Sequence, residues 1–344
     1  MKKICFATDY SYGAHPEVLQ AIIDINAEAT PGYGEDQYCQ QAREKIRNAC
    51  NAPDAEVRFM VGGTQTNATV IDALLRPTEG VIAADSAHIN VHESGAIEAS
   101  GHKVLALPQC QGKINAVDLE RSLHDFYADD TWQHMVEPGM VYITFPTEYG
   151  TIYTKDELEA IGAVCRKYGK PLYIDGARLG FGLAASKDVK LEDLLSLCDV
   201  FYIGGTKQGA LMGEAVVARK GLLHNFMSLT KQHGGLLAKG RLLGAQFDRL
   251  FTNDLYMRIS RRAVDLACWL RRCFESKGYG AVIDSPTNQQ FFKLPNEVID
   301  RLAQDVDFEL WGPRGVQSSM VRFVTGWATT EADIEALNNK LLKI

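Results

Sequence analysis

Asp175 in PLYIDGARLGFG and Lys207 in DVFYIGGTKQGALMG each close a short apolar run. Each run reads as a buried parallel strand, and the small residues that follow carry the chain off the sheet. Open α/β sheets bind their ligands at such carboxyl ends of strands. Taken singly, an Asp after a strand is a turn former or helix cap, and a Lys after Thr is solvated surface. The two together support a sharper reading. A lysine can form an imine with the aldehyde of pyridoxal phosphate, and an aspartate can keep that ring's pyridine nitrogen protonated, which makes the ring an electron sink. The glycines of Gly204-Gly205-Thr206-Lys207-Gln208-Gly209 let backbone approach a bulky ring.

Other residues suit the same ligand. The apolar run VRFMV leads into Gly62-Gly63-Thr64-Gln65-Thr66-Asn67 and then a helical stretch. A glycine turn opening a helix offers free N–H groups and the positive dipole end to an anion, and Thr64 and Thr66 add hydroxyls. Ordinary N-capping is the competing reading. The segment is neither a Walker motif nor a dinucleotide G-x-G-x-x-G, which argues against a nicotinamide dehydrogenase. His88, in ADSAHINVHESGA, follows another strand and is suited to stacking on a flat ring and moving protons. His88 and His92 also have a zinc spacing, but no third ligand with a motif accompanies them, so no metal is expected. Arg178 lies three residues after Asp175. Arg322, in SSMVRFVTGWAT, interrupts an apolar run, and a buried arginine there needs either a bidentate carboxylate or a structural salt bridge.

The elements that must position these residues alternate. Residues 1–35 read as an irregular arm with one short helix, Pro16–Asn26. Helical patterning runs from Asp36 to Ala49. Strands are expected at 57–61, 80–84, 103–107, 140–145, 171–175, 199–204 and 214–218, with helices at 117–126 and 155–169 between them. That alternation predicts a mostly parallel sheet covered by helices. A long helical region over 236–277 precedes an α+β tail, in which NQQFFKL, FELWG and MVRFVTG read as strands and 329–343 as a last helix. The expected division is an arm at 1–35, a large domain at 36–245 and a small one at 246–344.

Bulk properties exclude several classes. The chain of 344 residues is 46% hydrophobic and 23% charged, as a folded domain pair would be. A net charge of −7 argues against nucleic acid or an anionic membrane as the main partner. No run approaches a membrane span, and MKKICFATDY lacks the apolar region of a signal peptide. Eight scattered cysteines without a C-x-x-C pair suggest reduced thiols and a cytoplasmic protein.

In this order, ATDY, GYGED, GGTQTN, AH…ESGA, IDGAR, GGTK, HGG…KG and RFVTGWAT resemble the low-specificity L-threonine aldolase and aromatic amino acid β-eliminating lyase family, over nearly the whole chain. The resemblance implies the fold-type I architecture of aspartate aminotransferase: a large mostly parallel αβα domain and a smaller C-terminal α+β domain. It implies a pyridoxal 5'-phosphate-dependent carbon–carbon lyase that cleaves L-threonine or L-allo-threonine to glycine and an aldehyde. β-Elimination or transamination of another amino acid is the alternative, and a non-catalytic protein of the same fold is a further rival. By the same resemblance Lys207 carries the cofactor, Asp175 faces the pyridine nitrogen and His88 stacks on the ring. Gly63, Thr64, Gln65, Arg178 and Thr206 complete the cofactor site. Thr8, Arg178 and Arg322 would hold the substrate carboxylate. Family members form dimers and tetramers with active sites at the dimer interface. Two departures stand out. Glu148 takes the place of a histidine expected near the substrate hydroxyl, which makes it a catalytic candidate beside His88. Ala238 falls where a basic residue is expected to reach a neighbouring subunit's phosphate, with Lys239 next to it.

Overall fold

The computed structural model describes residues 3–343. Its strands are β1 (Ile4–Cys5), β2 (Glu56–Met60), β3 (Glu79–Ala84), β4 (Lys103–Leu107), β5 (Glu137–Thr144), β6 (Leu172–Asp175), β7 (Val200–Gly204), β8 (Glu214–Ala218), β9 (Gln289–Pro295), β10 (Val306–Asp307), β11 (Glu309–Leu310) and β12 (Ser318–Val324). Seven of them form one sheet in the order β2-β8-β7-β6-β5-β3-β4. Only β8 runs against its neighbours, so the expected parallel sheet carries one reversed strand. Strands β3, β6, β7 and β8 are buried at every residue, as strands covered on both faces must be. Their Val, Ile and aromatic content follows from that environment.

The flanking helices start where polar side chains can cap them. Thr154 and Glu157 form a reciprocal capping box at Lys155–Lys167, and Asp36 accepts the Cys39 N–H at 2.9 Å to open Gln37–Ala49. The helix Gly63–Leu74 is different, because Gly62 offers no side-chain cap.

Beyond the large sheet, the expected helical region at 236–277 is two helices, Arg241–Leu250 and Leu255–Glu275. Asn253 and Asp254 break it, with φ of 53° and 57°, a left-handed turn that asparagine and aspartate tolerate better than most residues. The sequence boundary at 245/246 falls inside the first of these helices. The second contributes Leu255, Tyr256 and Ile259 to the large core and Leu266, Leu270 and Phe274 to a smaller one. The small core lies against the antiparallel sheet β11-β12-β9. The expected strand FELWG is reduced to β11, while β10 pairs in parallel with β1 and brings Phe6 into the small core. Among the described residues no helix is long and apolar enough to cross a membrane.

One contact fixes how the key strands meet. The N–H of Gly204, the last residue of β7, donates at 2.9 Å to the carbonyl of Gly176, just past the end of β6. A Cβ on Gly176 would lie 1.9 Å from the Tyr202 carbonyl oxygen. We expect Gly176→Ala to cost about 1–3 kcal/mol of stability, read as a lower urea midpoint, because backbone must move to admit the methyl group. Gly280→Ala, where a Cβ meets nothing within 4 Å, should leave the midpoint unchanged. A native midpoint for Gly176→Ala would show that the contact has slack.

Candidate active site

The carboxyl ends of the central strands open into a cleft of about 320 Å³. Gly63, Thr64, His88, Glu148, Asp175, Arg178, Thr206 and Lys207 all line it, so most of the sequence candidates converge. Tyr10, Glu93, Thr144, Tyr202 and Glu214 line it as well.

Asp175 ends β6 and is 3% exposed. Its Oδ1 accepts the Ala177 N–H at 2.9 Å, and its Oδ2 accepts Asn67 Nδ2 at 2.9 Å and the Tyr142 hydroxyl at 2.6 Å. Burial raises the Tyr142 hydroxyl well above the usual phenol range, and the Asp175 charge adds to that, so Tyr142 stays a donor. Lys207 sits in the loop between β7 and β8. Glu214, the first residue of β8, holds this loop: its Oε2 accepts the Gly205 N–H at 2.9 Å and its Oε1 accepts the Thr206 hydroxyl at 2.8 Å. Burial pushes the Lys207 ammonium down to about 8, and the Arg178 charge adds to the effect. Burial pushes the Glu214 carboxyl up. An amine lowered in this way is a better nucleophile at neutral pH.

Arg178 faces the cleft but is already engaged. Its Nε and Nη2 donate to the two oxygens of Asp9 at 2.7 and 3.1 Å, and Asn288 Nδ2 donates to the same carboxylate at 3.0 Å. Burial works to raise the Asp9 carboxyl, but the Arg178 and Lys207 charges and the hydrogen bonds from Arg178 and Asn288 together outweigh it and hold Asp9 below the usual range. Glu148 accepts the His88 N–H at 2.8 Å on Oε1 and the Thr144 hydroxyl at 3.2 Å on Oε2. Burial pushes its carboxyl up to about 7. The His88 ring bonds Glu93 Oε1 through Nδ1 at 2.7 Å and is 39% exposed.

Three sequence candidates point elsewhere. The Gln65 side chain turns to the HGG segment and donates to the His233 carbonyl at 3.2 Å. Thr8 bonds Ser11 at 2.7 Å. Arg322 stacks 4.8 Å from the Trp311 ring centroid, donates to Gln289 Oε1 at 2.9 Å and pairs with Glu309. None of the three lines the cleft. Lys239 and Ala238 are exposed. Conversely, Asp9, Asn67, Glu93 and Glu214 escaped the sequence reading. Asn67 stands four residues after Gly63, on the same helix face, and Glu93 stands within HINVHESGA, so their motifs were in view but their partners were not.

The residues present fit pyridoxal phosphate. An amine, a buried carboxylate, an uncapped helix N-terminus with Thr64 beside it, and an imidazole share one cleft. Among the described residues the Lys207 ammonium has no hydrogen-bond partner; the Tyr10 ring lies 6.0 Å away.

A sheet with one reversed strand, a lysine loop beside it and an acid on the neighbouring strand define the fold of aspartate aminotransferase. The Thermus thermophilus aspartate aminotransferase with maleate superposes with a TM-score of 0.71 over 99% of this chain and 91% of its own, at 16% identity, which shows the fold alone. The model of the β-eliminating lyase family matches residues 6–323, and the chain belongs to that family. It is 31% identical over 303 residues to the low specificity L-threonine aldolase of Pseudomonas aeruginosa, covering 86% of each chain. A structure of Leishmania major threonine aldolase superposes with a TM-score of 0.95 at 40% identity, over 98% of both chains.

The lowered Lys207 value sets a pH dependence. Below about 8 the amine is protonated and cannot attack an aldehyde; above it the neutral form dominates. The rate at which cofactor-free protein captures pyridoxal phosphate should therefore rise with pH, with a midpoint near 8. A rate still climbing steeply toward pH 10 would show an unperturbed lysine.

Proposed function

We propose that the protein is a pyridoxal-phosphate-dependent lyase that splits threonine and related β-hydroxy-α-amino acids into glycine and an aldehyde. The observation that carries this reading is the convergence of Lys207, Asp175, His88 and the open Gly63 helix end in one cleft. The threonine aldolase relatives support it over elimination or transamination.

Lys207 would hold the cofactor covalently and Asp175 would face its ring nitrogen. The N–H groups at the start of Gly63–Leu74, with the Thr64 hydroxyl, would hold its phosphate, and Thr206 would line its edge. When bound, the cofactor supplies a sink for the electron pair left at Cα. The remaining work falls to the chain. Arg178 spends Nε and Nη2 on Asp9, which leaves Nη1 for the substrate carboxylate. Arg322, whose guanidinium charge repels that of Arg178, adds positive potential there without lining the cleft. Holding the carboxylate selects which Cα bond is aligned for cleavage. His88 takes the β-hydroxyl proton: its Nδ1 is committed to Glu93, which leaves Nε2 for the cleft. Glu148 sits beside it with a carboxyl that changes charge near neutrality.

We further assign the working form as a cytoplasmic homodimer or homotetramer. The exposure of Ala238 and Lys239 is consistent with a segment that reaches a neighbouring subunit.

Purified protein with pyridoxal phosphate should release acetaldehyde and equimolar glycine from L-threonine or L-allo-threonine, and Lys207→Ala should release none. Cleavage by Lys207→Ala, or a coloured holoprotein inert on both isomers, would overturn the assignment. A second expectation concerns Glu148. Below about 7 it is neutral; above, it is ionised and favours proton removal from the substrate hydroxyl. Wild-type kcat/KM should thus rise through pH 7, and Glu148→Gln, neutral at every pH, should lack that rise. An unchanged profile would take Glu148 out of the chemistry.

A further inference from the structure

Two buried carboxylates share one amide beside the cleft. Asn67 is 1% exposed, and its Nδ2 donates to Glu93 Oε1 at 2.8 Å and to Asp175 Oδ2 at 2.9 Å. An amide nitrogen has two hydrogens, so each carboxylate receives one. The Tyr173 hydroxyl donates to Asn67 Oδ1 at 2.8 Å. Turned over, the amide would present its oxygen to two carboxylates, so its orientation is fixed.

Glu93 is 5% exposed, and its Oε2 is buried without a partner. Its Oε1 also meets His88 Nδ1 at 2.7 Å. An ionised carboxylate only accepts, so the proton of that bond sits on Nδ1. Nε2 is then the free nitrogen of a half-exposed ring in the cleft. A packing role alone does not call for a second buried carboxylate beside Asp175, since placing two such groups together is costly. Setting the tautomer of a base does call for one, because a carboxylate behind an imidazole does so in the Ser-His-Asp arrangement.

We propose that Glu93 is the positioning residue of His88, holding Nδ1–H so that Nε2 can take the substrate proton, and that Asn67 ties this pair to Asp175 as one rigid unit. This rests on the cleavage reading above, in which His88 is the base.

The ring can be read without substrate. Spectra of 15N-histidine-labelled, cofactor-free protein, with His88→Gln assigning the signal, report which nitrogen carries the proton. Native protein should show Nδ1–H. In Glu93→Gln an amide oxygen in the place of Oε1 can still accept from Asn67 and from His88 Nδ1, so the ring should keep Nδ1–H but lose the carboxylate charge that favours its protonated form. In the holoenzyme that variant should keep the cofactor absorption and a KM within about twofold of native, while kcat falls about 100-fold. Glu93→Asp should recover part of the loss. Combining Glu93→Gln with Asn67→Ala should cost less than the two single losses multiplied; full multiplication would remove Asn67 from the unit. An Nε2–H signal in native protein, or native kcat in Glu93→Gln, would overturn the role of Glu93. If Glu93→Gln lost cofactor and folded structure together, the ring of folded Glu93→Asp would have to carry the role, and an Nε2–H signal there would sink it. Native protein with Nδ1–H but no threonine cleavage would overturn the substrate assignment alone.

Discussion

A carboxylate buried at the end of β6 is the constraint around which the molecule is arranged. Leaving Asp175 ionised out of water costs several kcal/mol unless donors replace its hydration. Three do so, from the Ala177 backbone, Asn67 and Tyr142. Those donors must themselves be held. Tyr173 fixes Asn67, and Tyr142 and Tyr173 pack edge to face at 5.6 Å within the sheet core. Tyr202 on β7 continues the layer. Burial raises all three phenols, with Asp175 adding to the effect in each, so none competes with it as an anion. The tyrosines of three neighbouring strands are thus an aromatic core whose polar tips answer to one charge.

Around that centre the charges balance in pairs. Asp9 answers Arg178, Glu309 answers Arg322, and Glu214 ties down the loop that carries Lys207. Breaking one partner leaves the other buried and uncompensated, which is far more costly than the pair is stabilising. The Asp9–Arg178 pair also joins the N-terminal segment to the loop after β6, across 169 residues of sequence. The irregular start of the chain is therefore part of the site.

Much of this was legible because the chemistry sits in local motifs. Lys207, Asp175 and the Gly62-Gly63 turn each follow an apolar strand, and a strand end is readable from a few neighbours. The residues that hold them were not, because their contacts are long-range: Asn67 meets Asp175 across 108 positions, and Asp9 meets Arg178 across more. Side-chain direction was equally invisible. Gln65 lies in the expected turn yet faces Gly235, where a Cβ would come 2.2 Å from its Oε1. Arg322 was legible as an arginine in need of a partner, but not as one that Glu309 and Gln289 already serve. The reversed direction of β8 also had no signal, since a buried strand reads the same both ways.

That reversed strand has a consequence for how the chain is made. The turn that would cradle the phosphate follows β2, and β2 has a single neighbour in the sheet, β8. Residues 56–60 must wait for 214–218 before they have an edge to join. The hairpin of β7 and β8 is local by comparison and carries the lysine loop within it. During synthesis the amine end of the cleft is thus assembled from neighbours, while the phosphate end closes only after most of the large domain has been made. Occupancy by the cofactor is in this sense a certificate that the sheet is whole.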